Sequence, residues 1–301
     1  MEISNNKVSV LGLPLDLGAS RFGARLGPEA IRLAGLCSDL KALGFDVKDL
    51  GDLNYEKFYE KKENSLNLTN IDEIAPAIEM ALEALWPLYK SGAFPLSLGG
   101  DHCLALATIQ AFVDSVDSPG LIYIDAHADI NTKESSPSGN IHGMGVAGLL
   151  KLTDDILSSF GKTKGKLKAE NIVYLGLRDL DPGEVEIISD LKIPAYTIDD
   201  WKALGTEKMI EKALKHLQGV QQIHLSFDVD ACDPSVAPGT GILIPNGLLK
   251  DQALDAFKLL GQCEKVVSMD LVEVNPLLDL RGQTSKLAKD LILSFFAQRQ
   301  A

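Results

Sequence analysis

Eight short, apolar, β-prone runs separated by stretches of helical spacing constrain the fold of this 301-residue chain more than any other feature. They are Val8 to Leu13, Phe45 to Leu50, Phe94 to Leu98, Leu121 to Ile124, Ile172 to Leu177, Ile193 to Ile198, Ile223 to Phe227 and Lys265 to Leu271. Helical patterns lie between them. One runs from near Pro28 to near Gly44, with Pro suited to a first turn. Others cover Ile71 to Lys90, Trp201 to Leu217 with Asp199 or Asp200 as cap, Leu248 to Leu260, and about Thr284 to Ala297. This alternation predicts an α/β fold built on a mostly parallel sheet with helices on both faces. Open sheets of this class reach this length, and no repeat or low-complexity linker interrupts the pattern. The polar stretch Tyr55 to Asn70 reads as a loop or irregular insertion, and Thr153 to Glu170 as a surface connection.

Three of the apolar runs end in acid and histidine. Phe94 to Leu98 leads into Gly99-Gly100-Asp101-His102, Leu121 to Ile124 into Asp125-Ala126-His127-Ala128-Asp129, and Ile223 to Phe227 into Asp228-Val229-Asp230. Residues two apart on a strand share a face. Asp125, His127 and Asp129 can therefore converge, as can Asp228 and Asp230. A single Asp-x-Asp at a strand end would more often be structural, and Gly-Gly-Asp-His alone could be a turn. Four carboxylates and two imidazoles at strand ends, however, repel unless cations lie between them, because half-buried acids need partners. His102, Asp125, His127, Asp129, Asp228 and Asp230 therefore read as ligands for two divalent metals. Oxygen and imidazole donors without thiolate suit Mn²⁺, with Fe²⁺, Co²⁺ or Zn²⁺ also compatible. Two such ions share a bridging water that ionises near neutral pH and serves as nucleophile. Asp129 is placed to accept a hydrogen bond from that hydroxide.

The loop Ile130 to Ile141 follows the second stretch directly, where open α/β sheets bind ligands. His142 closes it and is a candidate proton shuttle. His216 reads as a solvated helix residue and His224 as a packed strand residue. No Walker A sequence, dinucleotide fingerprint or Gly-x-Ser-x-Gly elbow occurs. A formal net charge of −13 argues against nucleic acid or an anionic membrane as partner, and weakly favours a cationic substrate. Cysteines 37, 103, 232 and 263 form no Cys-x-x-Cys pair, which suits free thiols in a reducing compartment. Met1 to Val8 has no signal-peptide character, and no apolar run approaches membrane-spanning length, so a cytoplasmic protein is expected.

With these motifs in hand, the chain resembles the ureohydrolases, and within them the arginases. The resemblance rests on Gly99 to His102, Asp125 to Asp129, and Ser226-Phe227-Asp228-Val229-Asp230 followed by Asp233-Pro234. It runs from Gly12-Leu13-Pro14 to Glu273-Val274-Asn275-Pro276. It implies a single catalytic domain over residues 1–301 with a three-layer α/β/α, eight-stranded fold. It also implies a centre of two Mn²⁺ ions, hydrolysis of L-arginine to L-ornithine and urea, and a homotrimer or homohexamer. The positions matching Asn131, Ser136 and Ser138 would bind the α-carboxylate of arginine, as neutral donors can. Asp181 would take the α-ammonium, with Glu184 helping through water. Asp181-Pro182-Gly183-Glu184 also looks like a helix start, and both roles can hold together. Glu273 would face the guanidinium or hold the His142 ring. Two positions depart from the family pattern: Cys103 where a Ser is usual, and Ile242 where a Thr is usual. Alternatives are another ureohydrolase, agmatinase-like or guanidinobutyrase-like, or a metal-binding homologue without catalysis.

Overall fold

The computed structural model describes residues 6–59, 70–153, 156–163 and 166–299. Its strands are β1 Lys7–Leu13, β2 Asp46–Asp52, β3 Phe94–Gly99, β4 Pro119–Ile124, β5 Ile172–Leu177, β6 Ala195–Thr197, β7 Gln222–Asp228 and β8 Val266–Val272. They form one eight-stranded sheet in the order β2-β1-β3-β8-β7-β4-β5-β6. Every pairing among them is parallel. Each apolar run of the sequence contributes one strand. Strands β3, β4, β5 and β8 are buried along their whole length. That burial on both faces is why they read as continuous apolar runs rather than as alternating ones.

Side chains of alternate parity enter two separate cores. Val8, Val10, Ile122, Ile124, Leu225 and Phe227 pack on one face, beneath α1 (Gly27–Leu33), α2 (Leu36–Ala42) and four later helices. Leu11, Leu13, Leu121 and Tyr123 pack on the other, beneath α3 (Ile71–Leu85), α4 (Ala105–Ser115), α5 (Gly145–Leu149) and α6 (Pro182–Leu191). The helices completing the first face are α7 (Ile198–Leu204), α8 (Thr206–His216), α9 (Lys250–Gly261) and α10 (Gln283–Phe296).

Several sequence expectations need correction. The helix expected from Pro28 to Gly44 is two helices, because Gly35 takes φ 103° and breaks the first from the second. The helix expected over Trp201 to Leu217 is likewise split into α7 and α8, at Gly205. Its cap is neither Asp199 nor Asp200. Thr197 caps α7, its hydroxyl accepting from Asp200 N while the Asp200 carboxylate accepts from Thr197 N. The helix from Ile71 ends at Leu85 and gives way to a 3₁₀ turn over Leu88–Lys90 after Pro87. The segment after Thr153 is not only a surface connection, since Leu157, Phe160 and Leu167 are buried in the second core. Parts of that segment (154–155 and 164–165), most of the expected insertion (60–69) and residues 1–5 lie outside the described residues. Among the described residues, no helix is long and apolar enough to cross a membrane.

Candidate metal centre

The carboxyl ends of β3, β4, β7 and β8 meet at the middle of the sheet, and the three acid-and-histidine stretches leave the sheet there. The parity argument holds only in part, because the strands stop before the motifs do. β4 ends at Ile124, so Asp125, His127 and Asp129 lie on a loop rather than on alternate strand positions. Side chain to backbone hydrogen bonds fold these loops instead. Asp125 Oδ1 accepts from His127 N at 2.7 Å, and Asp228 Oδ1 from Asp230 N at 2.8 Å. Asp101, the acid before His102, accepts from Cys103 N at 2.9 Å and Gly18 N at 2.7 Å. Asp129 and Glu273 take left-handed backbone, φ 50° and 63°. Such strained conformations at non-glycine residues persist where surrounding structure over-determines them. Here Asp129 O accepts from Val146 N, and Glu273 N donates to Gly100 O.

These loops bring all six residues together. His102 Nδ1 lies 3.0 Å from Asp125 Oδ2, 3.1 Å from Asp129 Oδ2 and 3.3 Å from Asp228 Oδ2. His127 Nδ1 lies 3.0 Å from Asp230 Oδ2 and 3.4 Å from Asp125 Oδ1. Asp125 therefore faces both imidazoles, one through each oxygen. Two overlapping groups are each suited to a cation, His102 with Asp125 and Asp129, and Asp125 with His127 and Asp230.

The hydrogen bonds behind His102 decide what faces the carboxylates. Ser226 Oγ donates to the Asp270 carboxylate at 2.7 Å, so at 2.9 Å it accepts from His102 Nε2–H. That tautomer leaves the Nδ1 lone pair pointing at three carboxylate oxygens. Tyr123 stacks on the ring and donates its hydroxyl to Asp129 Oδ2 at 2.7 Å. Lone pairs facing lone pairs at this distance need a cation or an added proton between them. Asp125 Oδ2, fully buried, has no hydrogen-bond donor among the described residues, and donors of this chemistry fit a hard divalent metal.

Charge alone, without a metal, strains the cluster. Burial and the neighbouring Asp230 and Asp125 raise Asp228 well above the carboxylate range. Burial and the same kind of repulsion push Asp125 up to about 6. Burial opposes a charge on His102, but the Asp125, Asp129 and Asp228 carboxylates facing Nδ1 outweigh that and raise its pKa well above the usual value. Excess protons on the imidazoles thus stand where a cation would balance the acids.

A cleft above the cluster, about 170 Å³ in volume, has room for more than a water or two. His142 lies beside it, with Nδ1 3.2 Å from Glu273 Oε1. Glu273 Oε1 also accepts from His102 N at 3.0 Å. Burial disfavours the His142 charge, but Glu273, Asp101 and Asp129 outweigh it and raise its pKa to about 9. The far wall of the cleft carries Asn131, Ser136 and Ser138 on the loop, and Asp181 and Glu184 at the start of α6. Asp181 is the N-cap of α6 while lining the cleft, and its N–H donates to Glu184 Oε2 at 3.0 Å. The helix-start and cleft placements therefore coexist. Burial raises Glu184 to about 7. Ile242, 37% exposed, adds an apolar edge to this polar rim.

Sequence reasoning passed over Asp179, whose Oδ2 lies 3.4 Å from His127 Nε2 on the outer side of the ring. It also passed over the Ser226–Asp270–His224 chain. Asp270 Oδ2 accepts from His224 Nε2 at 2.9 Å and from Thr108 Oγ1 at 2.5 Å. His224 is packed in its strand as expected, and His216 is exposed. A pair of polar residues two apart in each of β7 and β8 (His224 and Ser226, then Ser268 and Asp270) was the available signal, since fully buried strands rarely carry such pairs.

Comparison with known proteins follows the same lines. The family model described as "Arginase family" matches residues 6–297. The arginase of Bacillus caldovelox is 37% identical over 296 residues, covering 97% of this chain and 98% of that protein. The arginase of Staphylococcus aureus (strain COL) is 39% identical over 306 residues, covering 97% of each. Among solved structures, the native B. caldovelox arginase superposes with a TM-score of 0.93 over 97% of this chain and 98% of that one. An Entamoeba histolytica arginase in complex with L-ornithine, 30% identical, gives 0.89 over 98% and 99%.

Proposed function

Since this chain belongs to the arginase family, whose model and relatives span nearly all of it, we infer that it is the hydrolase that converts L-arginine to L-ornithine and urea. The observation that carries this reading is a cleft with two kinds of chemistry at its two ends. Its floor is His127, Asp129, Asp228 and Asp230 of the cluster, with His102 and Asp125 buried beneath, and its far wall sets neutral donors (Asn131, Ser136, Ser138) beside acids (Asp181, Glu184). That wall suits a zwitterion, with a carboxylate on the neutral donors and an ammonium on Asp181 and Glu184. An amino acid bearing a cationic side chain would then extend its guanidinium towards the floor.

His102, Asp125, His127, Asp129, Asp228 and Asp230 would hold two divalent ions, Mn²⁺ by donor type. Such ions would supply an activated water as nucleophile at neutral pH. The protein's own groups supply the rest. Asp129 would accept a hydrogen bond from the attacking water and orient it. Glu273 binds the guanidinium or holds the His142 ring, and its 3.2 Å contact to His142 Nδ1 favours the second role. With Nδ1 engaged and a raised pKa, His142 carries a proton on Nε2 at neutral pH. It can deliver that proton to the departing ornithine nitrogen as urea is released. Ile242 would pack on the substrate's methylenes where a hydroxyl is usual.

We place this activity in one catalytic domain over residues 1–301 and in the cytoplasm, consistent with four free thiols among the described residues. A homotrimer or homohexamer would cover exposed apolar side chains such as Leu33, Leu277 and Leu280. The test is a Mn²⁺-reconstituted assay of urea and ornithine release across guanidino substrates. L-arginine should exceed agmatine and guanidinobutyrate in kcat/KM, and equal amounts of urea and ornithine should form. A preference for agmatine would overturn arginine as substrate.

A further inference from the structure

The far wall of the cleft depends on a residue that does not line it. Asn131 is nearly fully buried, and its amide can point either way unless its neighbours decide. Asn131 Nδ2 lies 2.9 Å from Asp181 Oδ2, an acceptor only, so the nitrogen faces Asp181. Ser135 Oγ lies 2.8 Å from Asn131 Oδ1 and 2.9 Å from Thr132 N. The Thr132 N–H donates to Ser135 Oγ, whose own proton is then directed to Asn131 Oδ1. Both constraints select the same orientation. One Nδ2 hydrogen of Asn131 is spent on Asp181, and the second is left for a ligand in the cleft.

Ser135 also sets the spacing of the two wall elements. A methyl group added to Gly183 would lie 2.5 Å from Ser135 Cβ and 3.5 Å from Ser135 Cα, so the loop rests directly on the first turn of α6. The loop carries Asn131, Ser136 and Ser138, and α6 begins at Asp181. The contact therefore fixes the distance between the neutral donors and the acid.

We propose that Ser135 is a positioning residue for the α-amino-acid end of the substrate. It orients the Asn131 amide by hydrogen bond and seats the loop on Gly183. Ser135 touches neither the metal cluster nor the reacting carbon, and its effect is on selection rather than on the chemical step. This rests on the reading of the cleft as an arginine site.

Ser135→Ala and Gly183→Ala, with Ser135→Thr as the conservative variant, test it in the Mn²⁺-loaded enzyme. Ser135→Ala removes one half-buried hydrogen bond to the Asn131 amide and should raise KM for L-arginine about five- to ten-fold, with kcat within two-fold. Competitive inhibition by L-ornithine should weaken by the same factor. Inhibition by 1,4-diaminobutane, which has no carboxylate, should change less than two-fold. Gly183→Ala should reproduce this pattern by displacing the loop, and Ser135→Thr should restore KM. An unchanged KM in Ser135→Ala overturns the proposal. So does an equal loss for ornithine and diaminobutane, since general loosening of the loop would do that. If the unmutated protein releases no urea from arginine, the arginine reading itself fails, and it fails before any variant is compared.

Discussion

Asp270→Asn is the most informative substitution the structure suggests, because one atom exchange reverses a chain of hydrogen bonds. Asp270 is fully buried and accepts from Ser226, Thr108 and His224. Burial raises its pKa, but His224 and the hydrogen bonds outweigh that and hold it below the ordinary value. Its charge obliges Ser226 to donate backwards and accept from His102 Nε2–H. An amide in its place can keep its single carbonyl towards His224 and Thr108 only by turning its NH₂ towards Ser226. Ser226 then accepts from that NH₂ and donates its own proton to His102 Nε2. The ring proton moves to Nδ1, facing the acids where a metal would bind. This is the wrong-tautomer outcome familiar when a buried Asp behind a functional His becomes Asn. Three charge-assisted hydrogen bonds become neutral ones at about 1 kcal/mol each, so the metal-free variant should lose roughly 3 kcal/mol of stability. Groups behind a metal-bound His typically change affinity about 10- to 100-fold, and a weakening of that size is expected at the His102 site alone. Urea unfolding of the metal-free protein and Mn²⁺ titration of the folded variant measure the two effects. A variant that binds two Mn²⁺ with unchanged affinity would refute the tautomer argument, whatever its stability.

Two further outcomes follow from the cleft. His142→Ala should lower kcat by a factor on the order of 10²–10⁴ with little change in KM, because the group acts on a proton and not on binding; steady-state kinetics with L-arginine check this, and a raised KM at unchanged kcat would contradict it. Glu184 is raised to about 7 by burial, above its unfolded value, so its protonation stabilises the fold. That stabilisation is full below about pH 4.5 and is lost as pH rises through about 7, at most about 3 kcal/mol. Metal-free Glu184→Gln should therefore lose less stability than the unmutated protein between pH 5 and 8. Parallel pH profiles would show that Glu184 is ionised throughout.

The strands were legible because burial on both faces removes polar residues from them, leaving runs that stand out without any alignment. Where a strand does keep polar residues, as His224 and Ser226 in β7 or Asp270 in β8, they form the layer that orients His102. Helix boundaries were harder. Gly35 and Gly205 interrupt α1–α2 and α7–α8 although the apolar period continues across both, since each pair of helices packs on the same face of the sheet. The six cluster residues were found by type and spacing, yet the reason offered, alternation along a strand, applies poorly beyond Ile124. Asx-type bonds from Asp125 and Asp228 and the left-handed Asp129 do that work. Asp179 and Ser135 were invisible as functional residues, because their roles arise from contacts across 52 and 48 residues of chain, to His127 and Gly183.

The central claim is that the strand-end acids and imidazoles form two adjacent cation sites joined through Asp125. Equilibrium dialysis of the metal-free protein against Mn²⁺ tests it most directly. The unmutated protein should bind two ions per chain, and His102→Ala and His127→Ala one each, every variant losing a different site. A single ion in the unmutated protein, or two retained by both variants, would contradict it.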